Sequence, residues 1–138
     1  MNDENNQLRL LVTGGRDFTD AAVIEKALMD IEQRPDVIIH GDAAGADRVA
    51  AKIAAKWGIE VWKFPANWAR YGKSAGPRRN YQMIQEGRPT LVLAFPGGAG
   101  TANMIKQASK AGLTIRRITA EPVMKSPFEN DLNSPAVD

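Results

Sequence analysis

The chain has 138 residues, 43% of them hydrophobic and 25% charged, with a formal net charge of +2. This is an ordinary globular composition, long enough for one domain that buries roughly two-thirds of its unfolded surface. There is no cysteine, which excludes disulfides, thiolate nucleophiles and thiolate metal sites, and no apolar run approaches the roughly 20 residues of a membrane span.

Residues 1–7 are polar and lack the apolar stretch of a signal peptide, which predicts a flexible N-terminus and a cytoplasmic location. The domain proper is expected over residues 8–118. Leu8 to Thr13 reads as a first strand. Asp20 to Gln33 carries Val23, Ala27, Leu28 and Ile31 at helical spacing. Asp36 to His40 reads as a second strand around Val37-Ile38-Ile39. Ala44 to Trp57 reads as an alanine-rich helix ended by Gly58. Its Ala50, Ala51, Ala54 and Ala55 suit close packing, either on a sheet or across a homodimer. Ile59 to Phe64 reads as a third strand. Pro65 to Ala75 is a longer connection rich in glycine, aromatic and basic residues. A helix is predicted from near Gly76, with Pro77 in its first turn, to Gly87. Thr90 to Phe95 reads as a fourth strand, Gly100 to Ala111 as a helix closed by Gly112, and Leu113 to Ile118 as a fifth strand. Residues 119–138 carry Pro122, Pro127 and Pro135 with little periodicity and read as a flexible tail.

Short apolar strands alternating with helices predict an α/β fold: a doubly wound, Rossmann-like parallel sheet of five strands in the order 3-2-1-4-5. Its switch point falls between strands one and four, and ligands of such sheets sit beyond the carboxyl ends of the strands. The residues at those ends therefore matter most. Strand one runs into Gly14-Gly15-Arg16, strand two into Gly41-Asp42 and then Gly45-Ala46-Asp47, and strand four into Pro96-Gly97-Gly98-Ala99-Gly100-Thr101. A glycine-rich turn between a strand and a helix offers bare backbone N–H groups to an anion, and Thr101 can cap the helix or donate to a phosphate oxygen. Residues 8–118 hold 17 Lys and Arg against 10 Asp and Glu, a basic body suited to an anionic partner. Neither loop carries the GK[ST] of a Walker A sequence or the G-x-G-x-x-G dinucleotide fingerprint.

The candidate ligand-binding residues are Gly14, Gly15, Arg16, Gly41, Asp42, Arg79, Pro96, Gly97, Gly98, Gly100 and Thr101. Arg79 sits at a helix start, where a cation opposes the helix dipole unless an anion is present. Asp42 either caps the following turn or serves the ligand. Asp47 reads as a structural contact within its loop, and Arg78 as a solvent-exposed or interface residue. His40 is the sole histidine and reads as a hydrogen-bonded strand-end residue. No acidic set has ligand spacing, so no metal and no cofactor is predicted. Trp57, Trp62 and Trp68 are core or interface candidates; Trp68 and Tyr71, beside Arg70 and Lys73, are also placed to stack on a base.

Pro96-Gly97-Gly98-Ala99-Gly100-Thr101 resembles the PGGxGT signature of the lysine-decarboxylase-like LOG proteins, which belong to the SLOG superfamily of Rossmann-like nucleotide-binding domains. Thr13-Gly14-Gly15-Arg16-Asp17-Phe18, His40-Gly41-Asp42 with Gly45-Ala46-Asp47, and Gly76-Pro77-Arg78-Arg79-Asn80 resemble the small YspA-like branch of bacteria and phages. The resemblance spans residues 8–118 and implies a nucleotide or nucleotide-derived ligand, ADP-ribose-like ones included. LOG proteins hydrolyse the N-glycosidic bond of nucleoside 5′-monophosphates with a glutamate that closes PGGxGTxxE and an arginine from an RKxxM helix. Met104 stands at the glutamate position and Asn103 before it. In Arg79-Asn80-Tyr81-Gln82-Met83 the arginine is matched and Asn80 replaces the lysine. Binding is the leading expectation. The alternative is phosphoribohydrolase activity, with Arg79 and a substitute carboxylate, Asp42 or Asp47. A third is nucleic-acid binding through Arg70, Lys73, Arg78 and Arg79, ranked last because no long basic stripe or stacked aromatic set accompanies them.

Overall fold

The computed structural model describes residues 6–119, so the flexible termini expected at residues 1–7 and 119–138 fall almost wholly outside it. Five strands, β1 (Arg9–Thr13), β2 (Val37–His40), β3 (Glu60–Lys63), β4 (Leu91–Ala94) and β5 (Ile115–Arg117), form one parallel sheet. Their order is β3-β2-β1-β4-β5, as the strand and helix alternation predicts. The central strand β1 pairs on both sides, Leu10 lying opposite Ile38 and Leu91.

Helices α1 (Ala21–Met29) and α2 (Ala46–Lys56) cover one face, while α4 (Ala75–Gly87) and α5 (Ala99–Lys110) cover the other. A short α3 (Trp68–Tyr71) and a 3-10 turn (Gly72–Ser74) join β3 to α4. Because side chains alternate across a strand, each face has its own core. Leu10, Val12, Ile38 and Leu93 pack with Ile24, Leu28, Ala50 and Ile53. Leu11, Ile39 and Val92 pack with Met83, Met104 and Ala108. Complete burial of side chains such as Leu10, Leu11, Ile38 and Ile39 contributes about 1.5–3 kcal/mol each. Ala50 and Ala54 are fully buried in the first of these cores, while Ala55 is exposed.

The largest helical differences from the sequence expectation are three. α1 starts where the Asp20 carboxylate accepts the Val23 N–H at 3.2 Å, but it stops at Met29 rather than Gln33, closed by Asp30. α2 begins two residues late, because Asp42 and Gly45 take φ values of 57° and 85° that no helical turn tolerates. The Pro65–Ala75 connection is partly helical, since Asn67 caps α3 by accepting the Arg70 N–H at 3.1 Å. Among the described residues no helix is long and apolar enough to cross a membrane.

Candidate functional site

Thr13 and Ala94 lie side by side at the ends of β1 and β4, so the two following loops leave the sheet together. Phe95 N–H donates to Thr13 O at 2.9 Å, and Gly15 N–H donates to Pro96 O at 2.8 Å. The rings of Phe18 and Phe95 stack at 5.6 Å beneath this junction. The loop after β2 closes onto it, Ala46 N–H donating to Gly15 O at 3.3 Å. Such close approach leaves no room for side chains. A Cβ on Gly14 would meet Ala46 Cβ at 2.6 Å, one on Gly15 would lie 3.0 Å from Gly97 Cα, and one on Gly45 would lie 2.5 Å from Arg16 O. Gly98 and Gly100 differ: a Cβ on either would have nothing within 4 Å.

Beyond these loops lies a cleft of about 730 Å³. Its walls are Thr13 to Arg16 from the first loop, Ala43 and Asp47 from the second, Trp68, Lys73, Gly76, Pro77, Arg79, Asn80 and Met83 from the segment after β3, and Gly98 to Thr101 with Asn103 from α5. Of the residues expected at the site, Gly14, Gly15, Arg16, Arg79, Gly98, Gly100 and Thr101 thus converge on one space. The other four are placed elsewhere. Pro96 and Gly97 line a second hollow of about 440 Å³ with Phe95, Ile105 and Arg117, which shares Gly98 and Thr101 with the first. Gly41 lies beneath the Arg79 guanidinium, whose Nη1 donates to Gly41 O. Asp42 turns toward Arg48, whose Nε donates to its carboxylate at 3.4 Å.

Asp47 is the carboxylate that lines the cleft. It is buried, and its Oδ2 accepts the N–H groups of Gly41 at 3.0 Å and Ala43 at 3.3 Å. Burial pushes its pKa up to about 6, against the lowering effect of those two N–H groups and of Arg79. It therefore holds the loop after β2 in shape and still presents charge to the cleft. Burial lowers the pKa of Arg79, opposed by Asp47 and Asp42. His40 is buried; its Nδ1 accepts the Asp42 N–H at 2.9 Å, and its Nε2 has no partner. Burial lowers its pKa, so the neutral imidazole is favoured.

A polar tie between α4 and α5 was not legible in the sequence. Asn80 is 3% exposed and joins both sides of the cleft. Its Oδ1 accepts Arg79 Nε at 3.0 Å, while its Nδ2 donates to Gly100 O at 3.2 Å and Asn103 Oδ1 at 3.0 Å. Gln107 extends the tie, donating to Asn103 Oδ1 at 2.7 Å and Pro77 O at 3.1 Å. One buried amide thereby sets the position of a cationic side chain and of the first turn of α5. Met104 lies one residue along from Asn103 but points into the core, fully buried.

The first turn of α5 has Gly98 as its N-cap and no side-chain cap, so its leading N–H groups lack the side-chain oxygen that usually satisfies one of them. Arg16, Lys73 and Arg79 are among the lining residues, so positive charge and free N–H groups share this cleft, an arrangement that can attract an anion. Among the described residues no group of three His, Cys, Asp or Glu side chains could hold a metal ion.

The profile of the YspA, cpYpsA-related SLOG family matches residues 8–71, which span β1 to α3 and the first two cleft loops. Over 126 residues the chain is 35% identical to Gene 61 protein of Mycobacterium phage D29, an alignment that covers 83% of this chain and 98% of the phage protein. With its five-stranded Rossmann-like sheet and its glycine loops gathered at the switch point, the chain belongs to the YspA, cpYpsA-related SLOG family.

Proposed function

We propose that the cleft binds a nucleotide or nucleotide-derived ligand, a nucleoside phosphate or an ADP-ribose-type molecule, with a phosphate on the first turn of α5. The observation that carries this reading is the open backbone at Gly98 and Gly100, the N-cap and first turn of a helix with no side-chain cap, in a cleft that also holds Arg16, Lys73 and Arg79. Its volume of about 730 Å³ suits a ligand much larger than a phosphate ion. Membership of the SLOG family supports the same class of ligand. Thermal unfolding against a panel of nucleoside phosphates and ADP-ribose tests it. A ligand at a hundred times its Kd stabilises the fold by about 2.7 kcal/mol, and an unshifted melting temperature across the whole panel refutes the reading.

A second reading is cleavage of the N-glycosidic bond of a nucleoside monophosphate. It rests on Asp47, a cleft carboxylate with a pKa of about 6 that is largely ionised at neutral pH. A carboxylate there would stabilise an oxocarbenium-like centre or activate water. Chromatography for free base after incubation decides: no base released from any bound substrate sinks this reading and leaves binding intact.

A further inference from the structure

We propose that Trp68 is the base-stacking residue of the cleft, so that the site selects ligands bearing an aromatic base over bare sugar phosphates; this rests on the nucleotide reading above. Among the described residues Met29, Trp68 and Tyr81 are the exposed large apolar side chains, and of these Trp68 alone lines the cleft. It is 56% exposed and belongs to neither hydrophobic core.

The indole is also held in place before any ligand arrives. Its benzo edge rests on Gly76, where a Cβ would lie 3.2 Å from Cη2 and 3.8 Å from Cζ2. The four-residue helix that carries it is anchored at both ends, by the Asn67 side chain on Arg70 N–H and by Gly72 N–H on Trp68 O. Tyr71, in the same helix, ties it to α4: the Arg78 guanidinium sits 4.4 Å from the ring centroid, and Arg78 Nε donates to Ser74 Oγ at 3.1 Å. Ser74 Oγ in turn donates to Tyr71 O at 2.9 Å. A fixed aromatic ring binds a planar partner with less ordering cost than a mobile one. The cations Lys73 and Arg79 share the cleft with this ring, so one molecule with a phosphate and a base can engage both.

The test compares AMP, UMP and ribose 5-phosphate by calorimetry on the wild type, Trp68→Ala and Trp68→Phe. Base stacking lost on truncation to alanine weakens nucleotide binding by roughly 5- to 150-fold. Trp68→Ala is therefore expected to weaken AMP by at least fivefold, to leave ribose 5-phosphate unchanged and to bring the AMP-to-UMP affinity ratio toward one. Trp68→Phe restores most of the AMP affinity. An unchanged AMP affinity in Trp68→Ala, or an equal loss for AMP and ribose 5-phosphate, overturns the inference and leaves the nucleotide reading standing. A wild-type protein that binds neither a nucleoside phosphate nor ADP-ribose overturns both. Because Trp68 lies outside both cores, an unchanged melting temperature in Trp68→Ala checks that the variant is folded.

Discussion

The glycines after β1 and β2 and the glycines at the start of α5 do opposite work. Gly14, Gly15 and Gly45 let three loops pack closely: a methyl group on Gly14 or Gly45 collides with a neighbour, and one on Gly15 presses on the Gly97 backbone at 3.0 Å. Gly98 and Gly100 face open space and would collide with nothing. The first group builds the floor of the cleft by packing; the second leaves the wall at the start of α5 bare. Spacing alone does not separate the two uses, because both read as strand, glycine turn and helix.

Substitutions should separate them. The largest expected effect is Gly45→Ala. It forces a side chain onto φ +85° and against the carbonyl oxygens of Gly15 and Arg16, so chemical denaturation should show a loss of about 4 kcal/mol or more. A loss under about 1 kcal/mol would mean that the two groups of glycines do not differ as described.

Asp47 belongs with the packing group, and its signature is a pH slope. Its native pKa of about 6 exceeds its ordinary value of 3.8, so the native state keeps this proton after the unfolded chain has released it. The stability it contributes is present below about pH 4, falls as pH rises toward 6 and is gone above that, a change of up to about 3 kcal/mol. Asp47→Asn retains an oxygen for the Gly41 and Ala43 N–H groups and should flatten that part of the stability profile. A variant whose slope between pH 4 and 6 matches the wild type assigns the titration to another group.

Arg79 belongs with the cleft wall. Arg79→Ala should weaken every phosphate-bearing ligand by about 10- to 100-fold, which titration calorimetry would read. Equal affinity in the variant would remove Arg79 from the site. The smallest expected effect on stability is at Gly100. Gly100→Ala should raise it by about 0.5 kcal/mol, since alanine is the better helix former, while the added methyl lowers ligand affinity. Tighter binding in this variant would show that the wall at Gly100 does not meet the ligand.

Continuous apolar runs such as Val37-Ile38-Ile39 and Leu91-Val92-Leu93 made the strands legible, and the alternation with helices gave the sheet order. The glycine turns then marked the end of the sheet where the cleft lies. What stayed hidden depends on contacts between distant segments. Asn80 and Asn103 are 23 residues apart and meet only because α4 and α5 pack side by side. Asp42 lies in the loop after β2 and Asp47 in the first turn of α2, and only the folded path of that loop, with its positive φ at Asp42, shows that Asp47 lines the cleft while Asp42 turns to Arg48. The anchored α3 is a four-residue element inside a stretch of glycine, proline and aromatic residues, too short to show a period.

The burial of Met104 bears on how new chemistry could arise in this scaffold. A single exchange to glutamate at that position would bring the sequence into line with the PGGxGTxxE hydrolases. Here it would thrust a carboxylate among Leu11, Ile39, Met83 and Val92, where its charge has no partner. Asn103, one residue earlier, borders the cleft, so a carboxylate at that position would face the same space as Asp47. An inheritance of hydrolysis through position 104 would first demand a rotation of α5, and with it the surrender of the Asn80 tie that holds both walls together.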